Sequence, residues 1–167
     1  MADSKEFDSI RKELVNPDNR IRYDAVLILE ERGGPESVQL LIGALRDQEY
    51  VSIRWRAARA LGKLRAQEAV EALVAALGDE SQHVRKGVAQ ALGEIGDPSA
   101  VPALIEALRD DERKVGLEAS HALRDIGPPA LATLRQAEAT STGGMKEALS
   151  EVIGEIEDRI QRRGIKE

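Results

Sequence analysis

Residues 84–98 read VRKGVAQALGEIGDP, and their pattern is the clearest indication of secondary structure in the chain. Its apolar residues at positions 84, 88, 91, 92 and 95 recur three and four apart, which is the spacing of one face of an α-helix. The pair Asp97-Pro98 then supplies an N-cap and a first-turn proline for another helix. The stretch therefore predicts one helix and the start of the next.

The same pattern recurs along the chain. Positions equivalent to Val84 follow one another at intervals of 32, 31 and 31 residues: Ile21, Ile53, Val84 and Val115. Eight residues after each comes a leucine: Leu29, Leu61, Leu92 and Leu123. A degenerate fifth copy carries Met145 and Ile153, and a second amphipathic segment such as 69–77 lies within each period. Because one helix pair cannot bury its apolar face alone, this periodicity predicts stacked helical hairpins.

The composition narrows the class of protein. Of the 167 residues, 42% are hydrophobic but only 2% are aromatic, so the core must be built from aliphatic side chains. No run approaches the roughly 18 apolar residues of a membrane-spanning helix. Cysteine is absent, which excludes disulfides, thiolate metal sites and a cysteine nucleophile. The net charge of -6 disfavours non-specific nucleic-acid binding. Residues 1–6 lack an apolar signal core, so we expect a cytoplasmic protein.

The stretch 84–98 resembles the HEAT-like repeat named after phycobilisome lyases, and the resemblance extends over about 16–156. It implies an all-α, right-handed superhelix of about four to five helical-hairpin repeats with capping end helices. It also implies that the helix beginning Val-Arg (helix 2) lines the concave face and the other (helix 1) the convex face. A ladder of hydrogen bonds between adjacent repeats is implied as well, from Arg22, Arg54 and Arg85 to Asp47, Asp79 and Asp110. Gly116 replaces the arginine in the fourth copy, so the ladder should break there.

We expect one domain, 1–167, with an N-terminal cap helix in 1–17, repeats over 18–140, and a C-terminal cap helix and tail over 141–167. Helix 2 segments are predicted at 18–32, 50–64, 81–95 and 112–126, and helix 1 segments at 36–46, 68–78, 99–109 and 129–139. A leading helix is predicted at 4–15 and a final one at 144–162, followed by a frayed tail at 162–167.

Candidate binding residues lie on helix 2, opposite its packed face. There the side chains differ between copies while the buried positions repeat, as expected if framework and surface have different tasks. Trp55 and Tyr23 lie on this strip one repeat apart, and aromatic residues beside arginines are typical of a binding hot spot. The predicted partner-binding residues are Tyr23, Leu27, Trp55, Arg56, Arg59, Lys63, Lys86, Gln90, Leu117 and His121.

The local basic cluster Arg56, Arg59 and Lys63 favours a protein partner with acidic residues rather than a long polyanion. The structural alternative is that Trp55 simply covers a neighbouring helix and that the lysines are solvated.

The sequence offers little catalytic chemistry. The related deoxyhypusine hydroxylase needs several His-Glu pairs for its di-iron site, whereas this chain has only His83 and His121, neither followed by Glu. Glu118 and His121 could touch one metal ion, but two ligands do not make a catalytic site. Ser120 and His121 are adjacent on a helix and point about 100° apart, so they do not form a dyad. We expect no catalytic residue, metal or cofactor.

We therefore expect a non-enzymatic protein-protein interaction module or scaffold, monomeric and independent of membranes. Two alternatives remain. One is a phycobilin lyase-like chromophore-attachment subunit, although no pigment pocket is evident. The other is a nucleic-acid-binding HEAT-like protein. Its only support is the set Trp55, Arg56 and Arg59 near Asp24, which resembles the tryptophan, basic residues and carboxylate of HEAT-like DNA glycosylases.

Overall fold

The computed structural model describes residues 2–164, and the side chains of residues 6–162 within that range. The regular secondary structure of this part of the chain is entirely helical, without a β-strand. The helices are α1 (Ala2–Glu13), α2 (Asn19–Arg32), α3 (Gly34–Ala44), α4 (Val51–Lys63), α5 (Val70–Ala76), α6 (Gln82–Ile95), α7 (Val101–Ala107), α8 (Arg113–Ile126), α9 (Leu131–Thr140) and α10 (Gly143–Arg163).

The helix 1 segments differ from the prediction at their starts. Each of α5, α7 and α9 is preceded by one 3₁₀ turn: Gln67–Ala69, Pro98–Ala100 and Pro128–Ala130. At the second of these turns, the Asp97 side chain accepts a hydrogen bond from the Ser99 amide at 2.8 Å. A tighter first turn is common at helix termini, and the repeat period alone does not reveal it.

The two ends also differ slightly from the prediction. The leading helix begins and ends two residues earlier than predicted, and α10 continues to Arg163. Residues 162 and 163 of the predicted frayed tail are therefore helical, while residues 165–167 lie outside the described residues.

Two layers of helices make up the stack. The inner layer contains the helix 2 segments α2, α4, α6 and α8, each in extensive contact with the next, whereas the outer helices α3, α5, α7 and α9 touch one another far less. Close approach in the inner layer depends on glycine. A Cβ on Gly62 would lie 2.7 Å from the Cα of Ala91, and one on Gly93 would lie 2.8 Å from the Cα of Ala122. Because the inner helices are more closely spaced, the stack curves towards them and they line the concave face.

One continuous aliphatic core runs through the stack, from Ile10 to Ile156. The repeated leucines predicted to be interior, Leu29, Leu61, Leu92 and Leu123, are all fully buried. Tyr23 and Trp55 are only half-buried and pack against the edge of this core. Within residues 2–164 no helix has both the length and the apolar character needed to cross a bilayer.

The predicted arginine ladder is confirmed. Arg54 donates to both carboxylate oxygens of Asp79 at 2.7 and 3.0 Å, and Arg85 donates to both of Asp110 at 2.7 and 2.9 Å. Arg22 reaches Asp47 at 2.6 Å. The ladder ends at the fourth copy as expected.

Each ladder aspartate also organises the start of the following inner helix. Asp47 accepts a hydrogen bond from the Glu49 amide, Asp79 from the Ser81 amide and Asp110 from the Glu112 amide, at 2.9, 2.8 and 2.9 Å. Arg54 and Arg85 additionally donate to the main-chain carbonyls of Asp47 and Asp79. Each ladder aspartate therefore joins the arginine of the preceding repeat to the start of its own inner helix.

Candidate binding surface on the concave face

A groove of about 460 Å³ opens between α4 and α6, and we call it the α4–α6 groove. Its lining brings together residues of both helices: Val51, Ser52, Trp55, Arg59, His83, Lys86, Gly87 and Gln90. None of these residues is acidic, although the chain as a whole has a charge of -6. The groove therefore combines an aromatic wall with positive charge and hydrogen-bonding groups.

Trp55 is fixed in this groove by contacts on more than one side. Its indole lies against Gly87 of α6, where a Cβ would be only 2.9 Å from the indole Cδ1. The Arg59 guanidinium lies 5.5 Å from the centre of the indole ring and donates to Gln90 Oε1 at 3.1 Å. Trp55 thus does cover a neighbouring helix, as the structural alternative supposed. It also lines an open groove, so the two interpretations are compatible.

The other cations of the predicted cluster are engaged by Glu30 of α2. The Arg56 Nη2 lies 2.8 Å from Glu30 Oε2, and the Lys63 Nζ lies 2.8 Å from Glu30 Oε1. The Arg56 side chain is only 12% exposed, so it offers little surface to a partner. Positive charge on the groove therefore comes from Arg59 and Lys86 rather than from the whole predicted cluster.

Sequence reasoning missed Glu30, although a signal was present. Glu30 follows Tyr23 by seven residues, so the two lie on the same helical face. The same spacing rule would have found Ser52 and His83, each three residues before a predicted site residue.

A second groove of about 480 Å³ lies farther along the concave face, between α6, α8 and α10; we call it the α8–α10 groove. Its lining is Gln90, Glu94, Glu118, His121, Ala122, Arg124, Asp125, Glu155 and Arg159. Arg124 pairs with Glu155 at 2.5 Å, and Arg159 lies 3.9 Å from Asp125. With four carboxylates against two arginines, this groove is negative. Gln90 borders both grooves.

Only some of the predicted residues come together. Trp55, Arg59, Lys86 and Gln90 share the α4–α6 groove, and His121 lies in the α8–α10 groove. The others line neither: Tyr23, Leu27, Arg56, Lys63 and Leu117. Leu117 is 49% exposed and borders a different surface groove next to Gly116.

The arrangement offers binding chemistry. Among the residues that the structure describes, no three His, Asp or Glu side chains are grouped as a metal ion would require. The carboxyl groups whose pKa is lowered, Asp47, Asp79, Asp97 and Asp110, line neither concave groove.

Comparison with solved structures shows the same fold in proteins of different kinds. The complex of CpcE and CpcF of phycocyanin lyase from Nostoc sp. PCC7120 matches with a TM-score of 0.65 at 26% identity, over 88% of this chain and 63% of that one. Human deoxyhypusine hydroxylase matches with a TM-score of 0.67 at 24% identity, over 89% and 62%. The chain thus spans less than two thirds of the length of either. A designed armadillo repeat protein in complex with the peptide (KR)4 matches with a TM-score of 0.55 at 18% identity, over 88% and 80%.

Comparison with protein families agrees with the repeat register. Residues 44–124 and 70–154 match the family model for HEAT repeats, and residues 21–47 match that for the PBS lyase HEAT-like repeat. No curated protein sequence matches the chain. Since the HEAT-repeat matches together extend over residues 44–154, more than half of its length, the chain belongs to the HEAT-repeat family.

Proposed function

We propose that the chain is a non-enzymatic interaction module that binds a protein partner on its concave face, chiefly through the α4–α6 groove. The observation that carries the proposal is the juxtaposition of the Trp55 indole with Arg59 and Lys86 in a groove without a carboxylate. Tryptophan and arginine are the residues most enriched in binding hot spots.

The surface is also held in place before any partner arrives. Arg59 is bonded to Gln90 of the next repeat, and Lys86 Nζ lies 3.8 Å from Glu118 Oε2 of the repeat after that. Side chains already ordered in the free protein lose less entropy on binding. These cross-repeat contacts therefore favour a recognition surface.

The similar proteins support a role in binding. One of them is a chain of the complex of CpcE and CpcF, and a designed repeat protein of this fold was determined with the peptide (KR)4. Stacked helical repeats of this fold can thus bind another chain.

A photo-crosslinking experiment tests the concave face. A benzophenone amino acid replaces His83 on the groove or, as the matched control, Glu106 on the outer helix α7; both side chains are exposed. We expect the probe at position 83 to capture specific proteins from cell extract and the probe at position 106 not to capture them. Equal capture from both positions, or none from position 83, would contradict the proposal.

A substitution in the groove completes this test. Trp55→Ala should weaken binding of the captured protein by at least about tenfold, because removing a hot-spot side chain costs more than about 1.4 kcal/mol. Helical content measured by circular dichroism checks that the variant is folded. Unchanged affinity in a folded variant would remove the indole from the proposed interface.

A second candidate function is chromophore attachment, and the likeness to the phycocyanin lyase complex favours it. Incubation of the chain with a bilin and an acceptor phycobiliprotein, followed by absorption of the denatured acceptor, distinguishes this candidate. Covalently bound pigment that depends on the chain would favour it over the interaction module.

A further inference from the structure

We infer that the partner presents a short segment of two opposite charges: a carboxylate beside an apolar residue in the α4–α6 groove, and basic residues in the α8–α10 groove. This inference rests on the proposed function and adds the charges that the bound segment presents to each groove. It follows from two grooves of opposite charge lying side by side on one face.

The α4–α6 groove fits one or two carboxylates. Lys86 is about half exposed and lies 3.8 Å from Glu118 Oε2, beyond hydrogen-bond distance, so its Nζ keeps its donors for a partner carboxylate. Arg59 keeps further guanidinium donors beyond the one that it gives to Gln90. Ser52 and His83 add hydrogen-bonding groups, while Val51 and the Trp55 indole supply an apolar wall. An acidic side chain next to an apolar one matches this lining on both counts.

The negative charge of the α8–α10 groove limits the length of an acidic segment that can bind in the α4–α6 groove. Beyond Gln90 the lining carries Glu94, Glu118, Asp125 and Glu155 against only two arginines, and both arginines already face a carboxylate. A long acidic segment that enters the α4–α6 groove would meet like charge there. Basic residues at this point would instead be attracted.

The spacing between the two charges follows from the helix packing. Axes of packed helices lie about 8–10 Å apart, and an extended chain advances about 3.3 Å per residue. The acidic and basic groups should therefore be separated by about three residues. Charges of both signs mixed within one cluster would not match the two grooves.

Selection from a library of random twelve-residue peptides against the full chain tests the inference. Binding of each selected peptide is measured through the emission of Trp55, which is the only tryptophan and lies in the groove itself. We expect selected peptides to carry an acidic and a basic cluster about three residues apart. Lys86→Glu should weaken their binding at least tenfold.

A charge-exchange experiment supplies the sharper readout. When the acidic cluster of a selected peptide is replaced by lysines, the new peptide should bind the Lys86→Glu variant more tightly than it binds the original protein. Arg109→Glu makes the same charge change at an exposed position after the outer helix α7 and should alter affinity by less than twofold. This control separates a local contact from an effect of net charge.

The results separate the two proposals. Selected peptides that carry one sign of charge, yet still change Trp55 emission, would overturn the two-charge inference while the binding function stands. The two-charge inference would also be overturned if Lys86→Glu and Arg109→Glu changed the affinity for the selected peptides equally. If no peptide changes Trp55 emission and position 83 crosslinks nothing, both the inference and the proposed function fall.

Discussion

A single buried hydroxyl marks an imperfect copy of the repeat. Ser37 on α3 is fully buried, and its Oγ has no hydrogen-bond partner among the described residues. The equivalent positions in the other copies, Ala69, Ala100 and Ala130, are alanines that are also fully buried. The first repeat therefore keeps a polar atom where the others are apolar.

Replacing this serine should stabilise the protein. Because an unsatisfied buried polar group costs about 1–3 kcal/mol, we expect Ser37→Ala to raise the free energy of unfolding by about 1 kcal/mol or more. Alanine is also the better helix former, by about 0.5 kcal/mol. Ser120→Ala controls for that smaller gain, since Ser120 borders a surface groove. Urea unfolding measures both variants, and equal gains would show that the buried hydroxyl is not costly.

The C-terminal end of α4 differs from those of the other inner helices α2, α6 and α8. Arg65 follows α4 with a φ of 49°, whereas the equivalent residues after α2, α6 and α8 are Gly33, Gly96 and Gly127. Its amide donates to the Gly62 carbonyl, and the Ala66 amide donates to the Leu61 carbonyl. This pair of bonds is the Schellman motif, which favours glycine at the left-handed position because a Cβ is strained there.

Arg65→Gly should therefore stabilise the end of α4. The relief of strain, about 1 kcal/mol, exceeds the cost of the added flexibility of the unfolded chain, about 0.5 kcal/mol, so the free energy of unfolding should rise by about 0.5 kcal/mol. Arg65→Ala provides the control, because it removes the same side chain but keeps the Cβ. A thermal or urea unfolding series in which alanine stabilises as much as glycine would contradict the explanation.

At the scale of the whole molecule, the arginine ladder couples folding to pH. Burial raises the pKa of the Asp79 carboxyl, but hydrogen bonds from Arg54 and the Ser81 amide more than compensate, so its pKa lies below the ordinary value of 3.8. Asp110 also has a lowered pKa, chiefly through its hydrogen bond from Arg85. Since the unfolded chain takes up these protons first, the stabilisation is complete above about pH 4 to 5. It is lost as the pH falls below the ordinary pKa.

The substitution Asp79→Asn should reveal this dependence of the free energy of unfolding on pH. It leaves the Arg54 guanidinium, whose side chain is 9% exposed, without its principal counter-charge, so we expect a loss of about 3 kcal/mol near neutral pH. The loss should shrink as the pH falls through the lowered pKa of the Asp79 carboxyl, because the original protein then also loses this negative charge. Urea unfolding between pH 2 and 7 measures both effects.

Asp111→Asn is the matched control for the ladder. Asp111 also pairs with a ladder arginine, Arg85, at 3.2 Å, but its side chain is 95% exposed. Exposed pairs contribute about 0–1 kcal/mol, so this variant should change the free energy of unfolding little. A loss as large as that of Asp79→Asn would mean that burial of the ladder does not determine its contribution.

The stack and the register of its repeats follow from the amino-acid sequence alone. Apolar residues at helical spacing within a period of about 31 residues specify which face of each helix is buried, and that rule applies to one helix at a time. The family resemblance then supplied the partners of the arginines.

Which polar side chains meet across neighbouring helices depends on how those helices pack. Glu30 engages Arg56 and Lys63, and Trp55 lies on Gly87, because of the rotation and the axial offset of adjacent inner helices. Such contacts join residues about 30 positions apart, and the spacing along one helix contains no information about them. The division of the concave face into two grooves of opposite charge is the result.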